Sequence, residues 1–223
     1  MSKISNEEIR FAALAVDIVC FRIINNILHV LLGKVDSVHK DKGMLAHIGG
    51  LVRPDETAEE AVKRLLAAKA GISEIFFEQL YTFSTVDRDP RGRVVSVAYI
   101  ALCGEDPQDQ KHTTVTEWIP IKEISNLAYD HKEILKVGIE RLQSKLEYTN
   151  IAQHLLPEEF TFSELQQVYE IVLVSNLDKR NFRKKILATG IIKDTGKTVK
   201  KGVMRPAALF RFVSKAQKVI NIL

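Results

Sequence analysis

The chain has 223 residues, more than the ~100–150 of a typical single domain, so two domains are expected. Hydrophobic residues make up 46% and charged residues 27%, as in soluble globular proteins, and no apolar run approaches the ~20 residues of a membrane span, which excludes a helical membrane protein. Net charge is only +4, but residues 175–223 carry 13 Lys or Arg against Asp178 and Asp194, a net of +11, while residues 1–174 stand at −7. That asymmetry points the C-terminal part toward a polyanion.

"FAALAVDIVCFRII" is interrupted by Asp17 and Arg22 and follows the acidic "NEEIR", so no export signal is expected. Cys20 and Cys103 form no CxxC and read as two buried thiols in a reducing cytoplasm. Residues 12–24 and 27–33 read as two strands around the hairpin break "INN", followed by the polar loop "KVDSVHKDKGML". A helix is expected over 57–70, with Thr57 and Glu60 as a capping box and Gly71 as C-terminal cap. "FFEQLYTFSTV" and "RVVSVAYIALC" read as strands flanking the turn "DRDPRG". "DHKEILKVGIERLQSKL" has apolar residues at helical spacing, and "TNIAQHLLPEEF" reads as the junction between domains 1–150 and 151–223. Beyond it the pattern becomes helix, helix, hairpin. "FTFSELQQVYEIVL" is one helix, capped by Thr161 or Ser163. "NLDKRNFRKKILATG" is the next, with Asp178 as N-cap and Gly190 as terminator. "IIKDT" and "AALFRFV" are strands joined by the basic tip "GKTVKKG".

In "GGLVRPDETAEEAVKRLLAAKAGI", Gly50, Glu56, Arg64, Leu66, Gly71 and Ile72 stand at the spacing G-x5-E-x7-R-E-U-x-E-E-x-G-U, with U aliphatic. This stretch resembles the Nudix box. The three acids after the arginine are replaced by Leu65, Ala68 and Lys69. Positions i, i+3 and i+4 share one helix face. In a Nudix hydrolase that face offers carboxylates to magnesium, a cation that requires oxygen ligands to polarise pyrophosphate and activate water. Leucine, alanine and lysine supply none, so no catalytic residue, metal or cofactor is expected. Glu56 and Arg64 read as an ion pair holding the loop to the helix. His47, His131 and His154 are scattered, with no metal-ligand spacing.

"DRDPRGRVVSVAY" looks like the corresponding segment of ADP-ribose-directed Nudix proteins. Arg88, Arg91 and Arg93 suit diphosphate, because guanidinium forks match phosphate oxygens; the alternative is decoration of an exposed turn. Together with the downstream helices, the chain resembles the Nudix-related transcriptional regulators of the NrtR family from about Val16 to Val213. That resemblance implies a bacterial repressor, often of NAD-biosynthesis genes, with ADP-ribose or a related nucleotide sugar as effector. The family often has "LPGG" before the box where this chain has "LAHIGG", which leaves the effector's identity open. Gly50, Arg53, Glu56, Arg64, Arg88, Arg91 and Arg93 are the expected effector-binding set.

In the C-terminal part, Phe182 and Ile186 anchor one helix face, and Arg180, Arg183 and Lys184 occupy another. Such a helix suits the major groove, where arginine reads guanine and Asn181 pairs with adenine. Lys179 joins this set, and Lys197, Lys200, Lys201 and Arg205 form a basic wing. Solvated helix charges alone do not account for both clusters. The expected fold is a Nudix-like α/β/α sandwich followed by a winged helix-turn-helix. The expected partners are a palindromic duplex operator, bound as a homodimer, and the effector. The alternatives are a regulator of sugar catabolism, an active Nudix pyrophosphatase with displaced metal ligands, and an RNA-binding module, although no exposed aromatic platform supports the last.

Overall fold

The computed structural model describes residues 11–36, 41–104, 116–200, 206–220 and 222. Strands β1 (Ala13–Ile24) and β2 (Ile27–Lys34) form a hairpin through Asn25 and Asn26, at φ 50° and 63°. Two successive left-handed residues match the twist of the flanking strands, and asparagine tolerates that conformation better than most residues. Strands β3 (Leu45–Leu51), β4 (Phe76–Phe83), β5 (Val94–Leu102) and β6 (Thr116–Pro120) complete a mixed sheet in the order β4-β5-β1-β3-β2-β6. β1 runs parallel to β5 and antiparallel to β3.

β3 and β6 were not expected as strands. The apolar alternation of β3 is broken by His47, Gly49 and Gly50, and β6 is only 5 residues long. Both are held by their neighbours: β3 pairs with β1 and β2, and β6 with β2.

Successive residues of β1 serve opposite faces. Val19 and Phe21 pack toward helix α2 (His131–Tyr148), with Ile134, Leu135, Leu142 and Leu146. Ile18 and Cys20 pack toward helix α1 (Ala58–Ala70), with Ala61, Val62, Leu65 and Leu66. The result is the expected α/β/α sandwich. Thr57 and Glu60 form the capping box of α1, and Gly71 ends it at φ 70°. Gly138 lets α2 approach the sheet closely, since a Cβ there would lie 3.1 Å from Val19 Cγ1.

The C-terminal part comprises β7 (Phe160–Thr161), α3 (Phe162–Leu173), α4 (Lys179–Thr189), β8 (Ile192–Val199) and β9 (Ala207–Phe212), with sheet order β7-β9-β8. This is a winged helix. α3 starts at Phe162, capped by Thr161 rather than Ser163, because Phe160 and Thr161 pair with β9 instead. Asp178 caps α4 by accepting from Asn181 N at 2.8 Å. β8 continues to Val199, so Lys197 lies on a strand and not in the expected hairpin tip. Leu165, Tyr169, Phe182, Ile186 and Phe210 belong to the same apolar cluster as the buried face of α2. After β9 the chain returns to the end of α2, where Ile220 N donates to Tyr148 O and Ile222 N to Glu147 O. Among the described residues, no helix is long and apolar enough to cross a membrane.

Candidate functional site

A cavity of about 460 Å³ opens between the sheet, α1 and α2. Its wall takes Asp17 from β1, His47 and Gly49 from β3, Ala68 and Lys69 from α1, Arg88, Asp89 and Arg91 from the loop before β5, and His131 from α2. A larger groove of about 670 Å³ runs between the β2–β6 side and α3, but it is lined mainly by Ile27, Ile121, Ile139, Ile171, Val174 and polar surface groups. The buried ionisable groups line the smaller cavity, so that is the candidate site.

Asp17 is the centre of its wall. Its Oδ2 accepts from Ser96 Oγ at 2.6 Å and from Arg88 Nη2 at 3.0 Å, while His131 Nε2 lies 3.4 Å from Oδ1. Burial works to raise the Asp17 pKa, but His131, Ser96 and Arg88 together outweigh it and hold the carboxyl well below the usual range. Arg88 also donates to both oxygens of Asp130, at 2.8 and 2.7 Å. Its guanidinium therefore clamps β1 to the N-terminus of α2. Arg91 is held by Asp89, and its guanidinium sits 5.6 Å from the Tyr129 ring centroid.

The two histidines fix each other's protons. His131 Nδ1 accepts from the backbone N–H of His47 at 2.9 Å, so its proton is on Nε2, facing Asp17. His47 Nε2 donates to the carbonyl of His131 at 3.0 Å, which leaves His47 Nδ1 as a bare acceptor. That atom is buried and has no hydrogen-bond partner among the described residues. Burial, and then the neighbouring His131, lower the His47 pKa to about 3, so the ring is neutral near pH 7.

The altered box positions lie against this cavity. Leu65 is buried and packs on Gly50, where a Cβ would come within 3.0 Å of Leu65 Cδ2. Ala68 lines the cavity. Lys69 Nζ donates to Gly49 O at 2.6 Å, and burial lowers its pKa. Among the described residues no group of three or more His, Cys, Asp or Glu is arranged to hold a metal ion.

The expected effector-binding residues separate into two groups. Gly50, Arg88 and Arg91 line the cavity, whereas Arg53, Glu56, Arg64 and Arg93 do not. Arg64 pairs with Glu56 through two nitrogens, with Nε–Oε2 at 2.8 Å, and reaches Leu51 O. The Arg64 hydrogen bonds are the main reason the Glu56 pKa falls to about 2. Arg93 donates to the carbonyls of Ser84 and Thr85. All three guanidinium groups of Arg88, Arg91 and Arg93 already hold protein oxygens, and only Arg88 and Arg91 also line the cavity. Asp17, His47, Lys69, Asp130 and His131 were missed. Their association depends on strand order, and no sequence spacing announces it.

The second candidate surface is α4. Phe182 and Ile186 are buried, while Lys179, Arg180, Asn181, Arg183, Lys184 and Lys185 are exposed. The Arg183 guanidinium lies 4.8 Å from the Phe162 ring centroid and 5.6 Å from that of Phe210, so it rests against the start of α3 and the wing strand β9. Lys200 is exposed. Lys197 is exposed and pairs with Glu159 at 2.7 Å. Lys201 and Arg205 lie outside the described residues.

Residues 13–139 match the NUDIX domain family, and residues 152–212 match the NrtR DNA-binding winged helix domain. The ADPR responsive transcriptional repressor NtrR of Acinetobacter baylyi is 34% identical over 205 residues, 89% of this chain and 81% of that protein. The crystal structure of Shewanella oneidensis NrtR complexed with a 27mer DNA has a TM-score of 0.79 at 31% identity, covering 89% of this chain and 93% of that one. The NUDIX domain of the same Shewanella protein, complexed with ADP ribose, has a TM-score of 0.55 at 30% identity, covering 62% of this chain and 94% of that one. With its Nudix sandwich and winged helix both matched in order along one chain, the protein belongs to the NrtR family.

Proposed function

We propose that this chain is a transcriptional repressor whose affinity for operator DNA changes when ADP-ribose or a related nucleotide sugar enters the 460 Å³ cavity. The division falls near residue 150, with the sensing domain before it and the DNA-binding domain after it. The observation that carries the reading is α4. Its exposed face carries Lys179, Arg180, Asn181, Arg183, Lys184 and Lys185, and among the described residues no acid forms an ion pair with its cations. Arg180 and Asn181 read base edges, Arg183 stands beside the wing, and Lys200 touches phosphate.

The sensing half is not a hydrolase in this reading. Leu65, Ala68 and Lys69 stand where the box would supply carboxylates, and Lys69 is tied to Gly49 O. No metal or cofactor is required. Arg91, Lys69 and Lys34 on the cavity wall are the cations closest to hand for a diphosphate. Arg88 shapes the wall as a clamp.

Coupling needs the effector to favour one arrangement of the two halves. α2 is placed for that. Asp130 and His131 at its start belong to the cavity network, and Glu147 and Tyr148 at its end hold the tail that follows β9. A homodimer would present two α4 helices to a palindrome, working in the bacterial cytoplasm. Genes of NAD metabolism are the proposed targets, on the family resemblance.

Selection of bound sequences from a random duplex pool, with and without ADP-ribose, tests the reading. It is expected to yield a palindrome with half-sites one helical turn or a multiple apart, bound with different affinity in the two conditions. Recovery of no sequence preference would reduce the C-terminal part to a nonspecific polyanion binder.

A further inference from the structure

We propose that His47 determines effector specificity, by accepting at Nδ1 a hydrogen bond from a neutral donor of the bound ligand, a sugar hydroxyl or an amine. The proposal rests on the reading of the cavity as the effector site. His47 lines that cavity and is 4% exposed. Its Nε2 proton is committed to the carbonyl of His131, 84 residues away, so the ring cannot turn its bare nitrogen elsewhere without losing that bond. Stacking on the His131 ring, at 5.2 Å and 22°, holds it further. A buried acceptor left unmatched costs free energy, whereas a ligand that supplies the donor removes that cost.

The surroundings select the kind of donor. Asp17, the nearby carboxylate, already accepts from Ser96 and Arg88 and faces His131. Of the cations on the same wall, Arg88 and Arg91 are matched by carboxylates and Lys69 donates to Gly49 O, so they are donors already directed elsewhere. His47 Nδ1 therefore remains as a neutral, oriented acceptor, which suits an uncharged O–H or N–H. A phosphate oxygen has no proton to give it and would be repelled by its lone pair. A site built to receive a hydroxyl discriminates against an analogue that lacks it.

Two substitutions separate the two ring nitrogens. His47→Gln keeps a donor where Nε2 bonds His131 and removes the acceptor at Nδ1. His47→Asn keeps an acceptor near Nδ1 and removes the donor. Calorimetry with ADP-ribose, on full-length proteins of matched melting temperature, should show about tenfold weaker binding for His47→Gln and a change within about threefold for His47→Asn. The ring-nitrogen NMR signal of wild-type His47 Nδ1 should also move on addition of ADP-ribose, while Nε2 stays protonated. Ribose 5-phosphate and AMP divide the ligand. Sensitivity to His47→Gln with ribose 5-phosphate assigns the donor to its sugar hydroxyls, and sensitivity with AMP alone assigns it to the nucleoside half. Wild-type binding that is unchanged in His47→Gln, with an unmoved Nδ1 signal, would overturn the inference and leave the effector site standing. Equal loss in both variants, again with an unmoved signal, would make His47 a structural residue only. Absence of wild-type binding to all three ligands would overturn the effector reading and this inference together.

Discussion

Arg88 and the face of α4 deploy positive charge in opposite ways. Arg88 is 7% exposed and meets two carboxylates, Asp17 at 3.0 Å and Asp130 at 2.7 Å. The cations of α4 are exposed, and no described acid forms an ion pair with them. A charge matched inside the protein works on the protein, because its loss leaves a buried partner unpaired. An unmatched surface charge contributes little to the fold and remains available to an external polyanion. The contrast separates a wall of matched charges around the cavity from a helix face whose charges stay available to a partner.

The largest expected difference concerns stability. Arg88→Ala should lower the unfolding free energy by about 3–5 kcal/mol, since it removes the arginine that pairs with both Asp17 and Asp130 and leaves buried Asp17 with only Ser96 and His131. Lys185→Ala on α4 should stay within about 0.5 kcal/mol of wild type. Urea unfolding of the two variants measures both, and similar losses would erase the distinction.

The pH dependence comes next. The unfolded chain protonates its histidines near pH 6.5, but folded His47 stays neutral down to about 3 and His154 to about 4, both chiefly through burial. Between those limits the unfolded state holds more protons, so stability falls as pH falls, by about 1.4 kcal/mol per pH unit for each such group. Asp17 acts in the same direction below its unfolded pKa of 3.8, because its folded pKa is depressed. Unfolding free energies at pH 7, 6, 5 and 4 should follow this slope, and His47→Gln should flatten it. A slope unchanged by that substitution would contradict the buried, neutral state of His47.

Smaller effects are expected on DNA. Arg180→Ala should cost about 1–3 kcal/mol at the cognate site and relax specificity at one base position. Lys200→Ala should weaken all sequences alike and flatten the salt dependence by about one counterion. Lys197→Ala should flatten it less, because Glu159 already neutralises Lys197. Salt titrations of the three variants rank them. Equal slopes for Lys197→Ala and Lys200→Ala would show that the Glu159 pair opens on binding.

The same division runs through what could be read from the residues. Features governed by near neighbours were legible. The caps at Thr57 and Asp178, the Asn25–Asn26 hairpin and the basic face of α4 each need only a few consecutive residues. The cavity was not legible, because its bonds span the chain. Arg88 reaches Asp17 across 71 residues and Asp130 across 42, and His47 meets His131 across 84. Placing β3 and β5 on either side of β1 brings these groups together, and β3 itself lacks the alternation of a strand. The altered Nudix box is an intermediate case. Its residues announced which box acids are replaced, but the bond from Lys69 to Gly49 O and the seat of Leu65 on Gly50 emerge only in three dimensions.

The central claim is that the cavity and the exposed helix face communicate. Fluorescence anisotropy of a labelled duplex, selected as the preferred site, tests it when protein is titrated with and without saturating ADP-ribose in the presence of magnesium. A coupling free energy of about 1–3 kcal/mol predicts a change in DNA affinity of roughly 5- to 150-fold, with no AMP released over the same period. Identical DNA affinity in both titrations, with ADP-ribose converted to AMP, would contradict the account and make the Nudix half an enzyme.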